Sequence, residues 1–194
     1  MRVIAGTVKG RRLRAQPGRL VRPTADRVKE ALFSILLSRF ELTDTVLLDL
    51  FAGSGALGIE GLSRGARQAV FVERDRGACR VLETNVAACG FAARARVLCL
   101  PVQRALAQLA GAGQRFDGVF IDPPYGRRLL APALDALSAN AMVAPGGWVV
   151  VEHHVDDPVE EVHGTLQLTA IRSYGKTALT VFSNSLRAEE VAAR

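Results

Sequence analysis

Two short stretches carry residue types and spacings that could do chemistry. The first is Ile121 to Gly126, IDPPYG. Pro123 and Pro124 fix the backbone and remove two N–H donors, so the carbonyls of the turn face a ligand as acceptors. Asp122 adds a carboxylate, and Tyr125 adds a flat face on which a planar ring can stack. An exocyclic amino group on an aromatic ring is a poor nucleophile, because its lone pair is delocalised into the ring. Acceptors at Asp122 and the Pro123 carbonyl would hold both of its N–H bonds and favour a pyramidal nitrogen with the lone pair turned outward. An ordinary proline turn is the bland alternative.

The second stretch is Leu48 to Gly58, LDLFAGSGALG, with glycines at Gly53, Gly55 and Gly58 and an acid, Glu73, twenty residues after Gly53. That spacing fits a dinucleotide site. Asp49 argues otherwise, because an acid at the end of the preceding strand repels the phosphates that such a loop must receive. S-adenosylmethionine has no phosphates. Asp49 can attract its cationic end, the glycines admit backbone close to the ligand, and Glu73 can accept from both ribose hydroxyls. Capping of the turn is the structural alternative for Asp49.

The elements that would position these residues alternate. Residues 2–15 read as a short β-hairpin broken by Gly6 and Gly10, and 16–23 as a loop. Thr24 caps a helix that runs to about Arg39, with Asp26 in its first turn. Strands follow at 45–50, 68–73, 95–100, 116–122 and 147–154, with helices at 55–64, 76–88, 102–110 and 129–139. Gly90 ends the second of these helices. Runs 166–174 and 177–183, separated by Gly175 and Lys176, form a tight antiparallel hairpin. The β-α-β alternation argues a parallel sheet covered by helices, with ligands at the carboxyl ends of its strands and strand four beside strand one. A terminal antiparallel hairpin is not the usual ending of a dinucleotide-binding sheet.

The chain has 194 residues and is 49% hydrophobic, enough for one domain with a full core and a small appendage. No apolar run reaches the roughly 18 residues that span a bilayer, and no signal peptide is evident, so a cytoplasmic protein is expected, with no membrane partner. The lack of a long apolar segment points to a monomer. Cys79, Cys89 and Cys99 form neither a disulfide framework nor a metal site and read as small buried side chains. His153, His154 and Trp148 read as structural. Net charge is +6. Residues 1–29 hold nine Lys/Arg (Arg2, Lys9, Arg11, Arg12, Arg14, Arg19, Arg22, Arg27 and Lys29) against one acid, Asp26, so the positive excess lies in one N-terminal arm. That is the footprint expected for a polyanion partner.

Together these motifs resemble a known family. A D/N-P-P-Y turn with an upstream D-x-F-x-G-x-G is the signature of amino-group S-adenosylmethionine methyltransferases. The run G-x-x-K-G-R-x-L, followed by RPTADRVKEALFSIL and LLDLFAGSGALGIE, is similar to the RsmD-type guanine-N2 methyltransferases of small-subunit (16S) ribosomal RNA. The likeness extends from Arg2 through YGKTALTVF. It implies an α/β fold: a Rossmann-like seven-stranded methyltransferase sheet with a terminal antiparallel hairpin, plus a small N-terminal hairpin and helix. It divides the chain by role into an RNA-facing arm at 1–40, a methyltransferase domain at 41–185 and a tail at 186–194. Asp49, Phe51, Ala52, Gly53, Gly55 and Glu73 match the family's cofactor loop, and Asp122, Pro123, Pro124 and Tyr125 its catalytic turn. Arg2, Lys9, Arg11, Arg12, Arg14, Arg22, Thr24 and Arg27 fall in its RNA-facing region. Relatives in the wider superfamily carry an acid after strand three, near the adenine amino group. Here the stretch is LCLPVQRAL, and a backbone contact near Val102 is expected instead.

The resemblance implies S-adenosylmethionine-dependent methylation of guanine N2 in small-subunit rRNA, free or in an assembling subunit. A DNA adenine-N6 methyltransferase would use the same turn and would methylate duplex DNA. A NAD(P)-dependent oxidoreductase would bind NADH. A silent RNA-binding assembly factor would be indifferent to loss of Asp122.

Overall fold

The structure, a computed structural model, describes residues 1–15, 25–124 and 129–185. The expected cap at Thr24, the loop before it, Tyr125 and the 186–194 tail lie outside the described residues. Two units divide the chain, Met1–Pro101 and Val102–Arg194.

In the first unit, α1 (Ala25–Leu37) carries Asp26 in its first turn and buries Val28, Leu32, Phe33 and Leu36 at helical spacing. The apolar run after Thr45 gives β1 (Val46–Leu50), which is followed by α2 (Ala56–Ser63) and β2 (Gln68–Glu73). Next come α3 (Arg76–Ala88), a 3-10 turn at Ala92–Arg94 and β3 (Ala95–Cys99). The β1 and β2 strands are apolar without alternation and are buried on both faces, as strands of a parallel sheet are. β2 lies between its two parallel neighbours, with Leu50 opposite Val72 and Glu73 opposite Cys99. α3 starts on Asp75, whose side chain accepts from the Ala78 N–H at 2.7 Å. It ends in a Schellman motif: Gly90 is left-handed at φ 75°, its N–H reaches the Ala87 carbonyl, and the Phe91 N–H reaches that of Val86.

The second unit holds α4 (Val102–Gly111), β4 (Phe116–Ile121), α5 (Leu130–Ala139), β5 (Val143–His154), β6 (Val162–His163), β7 (Leu166–Tyr174) and β8 (Thr177–Asn184). β4 runs parallel to β5, β8 returns antiparallel to β5, and β7 and β6 continue the sheet outward. Tyr174 pairs with Thr177 across Gly175 and Lys176, and Gly175 takes φ 63° at the first turn position, as a II′ turn requires. Trp148 is core, as expected. It rests on Gly118, where a Cβ would fall 2.2 Å from the indole.

The arm folds back on itself as the expected hairpin: Arg2 bridges Arg12, and the Val3 N–H reaches the Arg11 carbonyl, the Gly10 N–H that of Val3 and the Leu13 N–H that of Met1. Gly6 and Gly10 are left-handed, and between them Thr7 and Val8 donate to Ser63 of α2. Two expectations are corrected. Among the described residues the strands number eight, because β6 adds a two-residue edge too short to alternate. It is held by the His163 imidazole, 2.7 Å from Asp135 on α5. Finally, Cys79 and Cys89 are buried but Cys99 is exposed at the end of β3. No helix among the described residues is long and apolar enough to cross a membrane.

Candidate functional site

The chain leaves β1 through Phe51 to Gly55 and enters α2. Three of these five residues are left-handed: Phe51 at φ 62°, Gly53 at 55° and Gly55 at 83°. Glycine tolerates this and phenylalanine does not, so Phe51 stores strain of about 1–3 kcal/mol, a condition that clusters at ligand-binding turns. Gly58 serves a different end. A Cβ there would lie 2.3 Å from the Phe71 ring and 3.1 Å from an Asp49 oxygen, so its absence lets α2 lie close on the sheet.

All three motif glycines already have partners for their N–H groups. Gly53 donates to Glu73 Oε2 at 3.0 Å, Gly58 to Asp49 Oδ2 at 2.9 Å, and Gly55 to the Ala52 carbonyl at 2.8 Å. The other Glu73 oxygen accepts from the Arg74 and Asp75 N–H groups at 2.8 and 2.9 Å. A carboxylate offers about four lone-pair sites. Three of those on Glu73 are in use, which leaves one open. Asp49 is buried, and burial pushes its carboxyl up to about 7; the Gly58 N–H draws it partway back, and the Glu73 charge raises it. Asp49 therefore both caps the turn and holds a titratable proton near neutrality.

On the arm, Arg2, Lys9, Arg11, Arg12 and Arg14 are all exposed, as is Arg27 on α1. Arg2 and Arg12 stand opposite each other in the bridge. Like charges so placed repel, which a bound polyanion would relieve. Lys29 leaves the footprint: it is buried, donates to the Arg2 carbonyl at 2.7 Å and pairs with Glu60 at 3.1 Å. Arg22 and Thr24 lie outside the described residues.

In the second unit β4 delivers Asp122, exposed, with Pro123 buried and Pro124 half-buried behind it. Tyr125 is outside the described residues. Val102 opens α4 and is buried. His153 is structural, with its ring nitrogens 2.8 Å from the His154 carbonyl and from Thr180 Oγ1.

Sequence reasoning missed the residues that hold the arm. Glu60 is fully buried on α2. It accepts from the Ile4 and Ala5 N–H groups at 2.8 and 2.9 Å and pairs with Lys29 and Arg64. Ser63 Oγ donates to the Ala5 carbonyl and accepts from the Val8 N–H, while its own carbonyl takes the Thr7 N–H. Asn85 on α3 clasps the Arg14 backbone. The signal for Glu60 was present: it is the one acid in ALGIEGLS, and a lone acid on an otherwise apolar helix is buried only when paired.

Comparison with known proteins shows a family. The family model described as conserved hypothetical protein 95 matches residues 1–183. The chain is 38% identical over 182 residues to YlbH of Bacillus subtilis (strain 168), covering 94% of this chain and 98% of that protein. It is 35% identical over 189 residues to the ribosomal RNA small subunit methyltransferase D of Escherichia coli (strain K12), covering 97% and 92%. A solved structure of a hypothetical protein from Thermus thermophilus superposes with a TM-score of 0.80 at 35% identity, covering 93% of this chain and 98% of that one.

Proposed function

The chain belongs to the family of conserved hypothetical protein 95, that of the ribosomal RNA small subunit methyltransferase D proteins, and from that premise we propose that it methylates the exocyclic N2 of a guanine in small-subunit ribosomal RNA. It is an S-adenosylmethionine-dependent enzyme with a Rossmann-like methyltransferase fold. One observation carries the choice of cofactor within the glycine loop. The N–H groups of Gly53 and Gly58, which a dinucleotide site would turn on a pyrophosphate, are already taken by the carboxylates of Glu73 and Asp49. A phosphate would meet two acids. A sulfonium, an ammonium and a ribose would not be repelled.

In this reading Phe51 to Gly55 cradle the cofactor, Glu73 accepts from one ribose hydroxyl, and Asp49 attracts the cationic end. Val102 supports the adenine. When bound, the cofactor supplies a methyl group on a sulfonium that passes to the acceptor nitrogen in a single displacement. The chain's own part is positioning and proton handling. Asp122 and the Pro123 carbonyl accept the two N–H bonds of the guanine amine, and Tyr125 stacks on the base. Asp122 or solvent then takes the amine proton. Orientation supplies most of the acceleration. The target guanine must be unpaired or flipped out to enter. The cations of the arm, with Arg22, Thr24 and Arg27, bind phosphates in register, and the protein works in the cytoplasm as a monomer.

The test is transfer of label from S-adenosyl-[methyl-3H]methionine to three acceptors: small subunits lacking the modification, free small-subunit rRNA and duplex DNA. Label in subunits or rRNA alone is expected. Label in duplex DNA alone would replace this reading with a DNA adenine-N6 methyltransferase.

A further inference from the structure

Asn85 is buried on α3 and makes three hydrogen bonds with its carboxamide. The oxygen accepts from the Arg14 N–H at 2.8 Å, and the nitrogen donates to the Arg14 carbonyl at 3.0 Å and to the Ser54 carbonyl at 2.9 Å. The side chain therefore holds one arm residue as a paired strand would, and with its remaining proton it grips the peptide between Gly53 and Gly55. That peptide belongs to the left-handed loop, one residue from the Gly53 N–H that Glu73 holds. The other end of the arm is fixed to α2 through Glu60 and Ser63, and α2 springs from the same loop at Gly55. A basic surface and a cofactor loop thus share one buried amide.

We propose that Asn85 is a positioning residue that couples the two sites: a polyanion seated on the arm and a cofactor in the glycine loop each raise the other's affinity. The physical cause is shared ordering. Fixing Arg14 against RNA phosphates fixes the Asn85 carboxamide, which fixes the Ser54 carbonyl and with it the loop conformation the cofactor needs. The second ligand then finds that conformation already set. Linkage makes the effect reciprocal, by the same factor in each direction and within the range of about 5–150-fold usual for coupled sites. The inference rests on the reading of the loop as the S-adenosylmethionine site and of the arm as the rRNA-facing surface.

Equilibrium dialysis of labelled S-adenosylhomocysteine against the full chain, with and without a saturating small-subunit rRNA transcript, measures the factor. Filter binding of the transcript with and without S-adenosylhomocysteine measures it from the other side. The wild-type chain is expected to show the same tightening in both, at least about fivefold. Asn85→Ala is expected to bind both ligands with the factor reduced to near one. A purely structural role would lower both affinities and leave their ratio intact. Because that variant could fail to fold, hydrogen exchange in the wild-type chain gives a second reading: S-adenosylhomocysteine is expected to slow exchange at the Arg14 amide. Independent binding in the wild type, an unchanged factor in Asn85→Ala, or unaltered Arg14 exchange would each overturn the coupling while leaving the function standing. Failure of the wild type to bind S-adenosylhomocysteine or rRNA at all would contradict the function itself, and the coupling with it.

Discussion

The carboxylate of Glu60 lies 3.1 Å from the ammonium of Lys29, and the two side chains are 0% and 3% exposed. The pair joins α2 to α1, and through the Arg2 carbonyl and the Ile4 and Ala5 N–H groups it secures the arm to both. Removing the acid strands a buried cation. Glu60→Ala is expected to lose about 3–5 kcal/mol of stability. Lys29→Met is expected to cost less, about 1–3 kcal/mol, because Glu60 keeps Arg64 and two backbone N–H donors. Urea denaturation of the two variants checks this. Equal losses would contradict the assignment of Glu60 as the hub.

Gly58 is required by close packing and not by backbone conformation. Gly58→Ala places a methyl 2.3 Å from the Phe71 ring, and Phe71 is wholly buried. A net loss of about 1–3 kcal/mol is expected, despite alanine's better helix propensity. Gly111, at the end of α4 with nothing within 4 Å of its would-be Cβ, is the control. Gly111→Ala is expected to be neutral or to stabilise by up to about 1 kcal/mol. Thermal melts of both settle the contrast, and a harmless Gly58→Ala would sink the close-approach argument.

Asp49 gives a pH dependence with a definite sign. Burial raises its carboxyl from 3.8 to about 7 in the folded chain. Between those values the folded state holds a proton that the unfolded state has released. Its contribution to stability is therefore full below the unfolded value and is lost as pH rises through about 7. Asp49→Asn keeps an acceptor for Gly58 and has no proton to lose. The variant should gain on the wild type between pH 5 and pH 8 in urea midpoints; parallel curves would contradict the buried carboxyl.

The opposed Arg2 and Arg12 offer a separation of function from stability. Replacing both with alanine removes a repulsion across the bridge, so the free chain should hold its stability or gain a few tenths of a kcal/mol. Binding of rRNA should weaken. The slope of log affinity against log salt should fall by about 1 for each phosphate that the variant no longer neutralises. A slope unchanged by the double substitution would remove the arm from the RNA interface.

Much of this was legible in the sequence, for physical reasons that differ by element. The strands at 68–73 and 166–174 and the helix at 76–88 have the bounds their apolar patterns and end signals imply. Asp75 and Gly90 are local chemistry that a sequence displays. The arm's hairpin was legible but its anchoring was not, because Glu60 and Ser63, which take the Ile4, Ala5 and Val8 N–H groups, lie more than fifty positions away. Lys29 counted as a free cation in composition and is a buried one in the fold. β6 escaped because two residues have no period. In the glycine loop the glycines and acids were identified, but the burial of Asp49, the left-handed Phe51 and the three N–H groups on Glu73 depend on how the turn closes.

In the proposed function Asp122 and its turn direct a methyl group to the N2 of guanine. The most direct measurement is mass analysis of nucleosides from modification-deficient small subunits or their rRNA, after incubation with S-adenosylmethionine and either the wild-type chain or Asp122→Ala. N2-methylguanosine is expected as the sole new nucleoside with the wild type. With Asp122→Ala the rate is expected to be lower by about 10²–10⁴-fold, at unchanged affinity for S-adenosylhomocysteine. N6-methyladenosine as the product, or N2-methylguanosine formed equally fast without the Asp122 carboxylate, would contradict the proposed function.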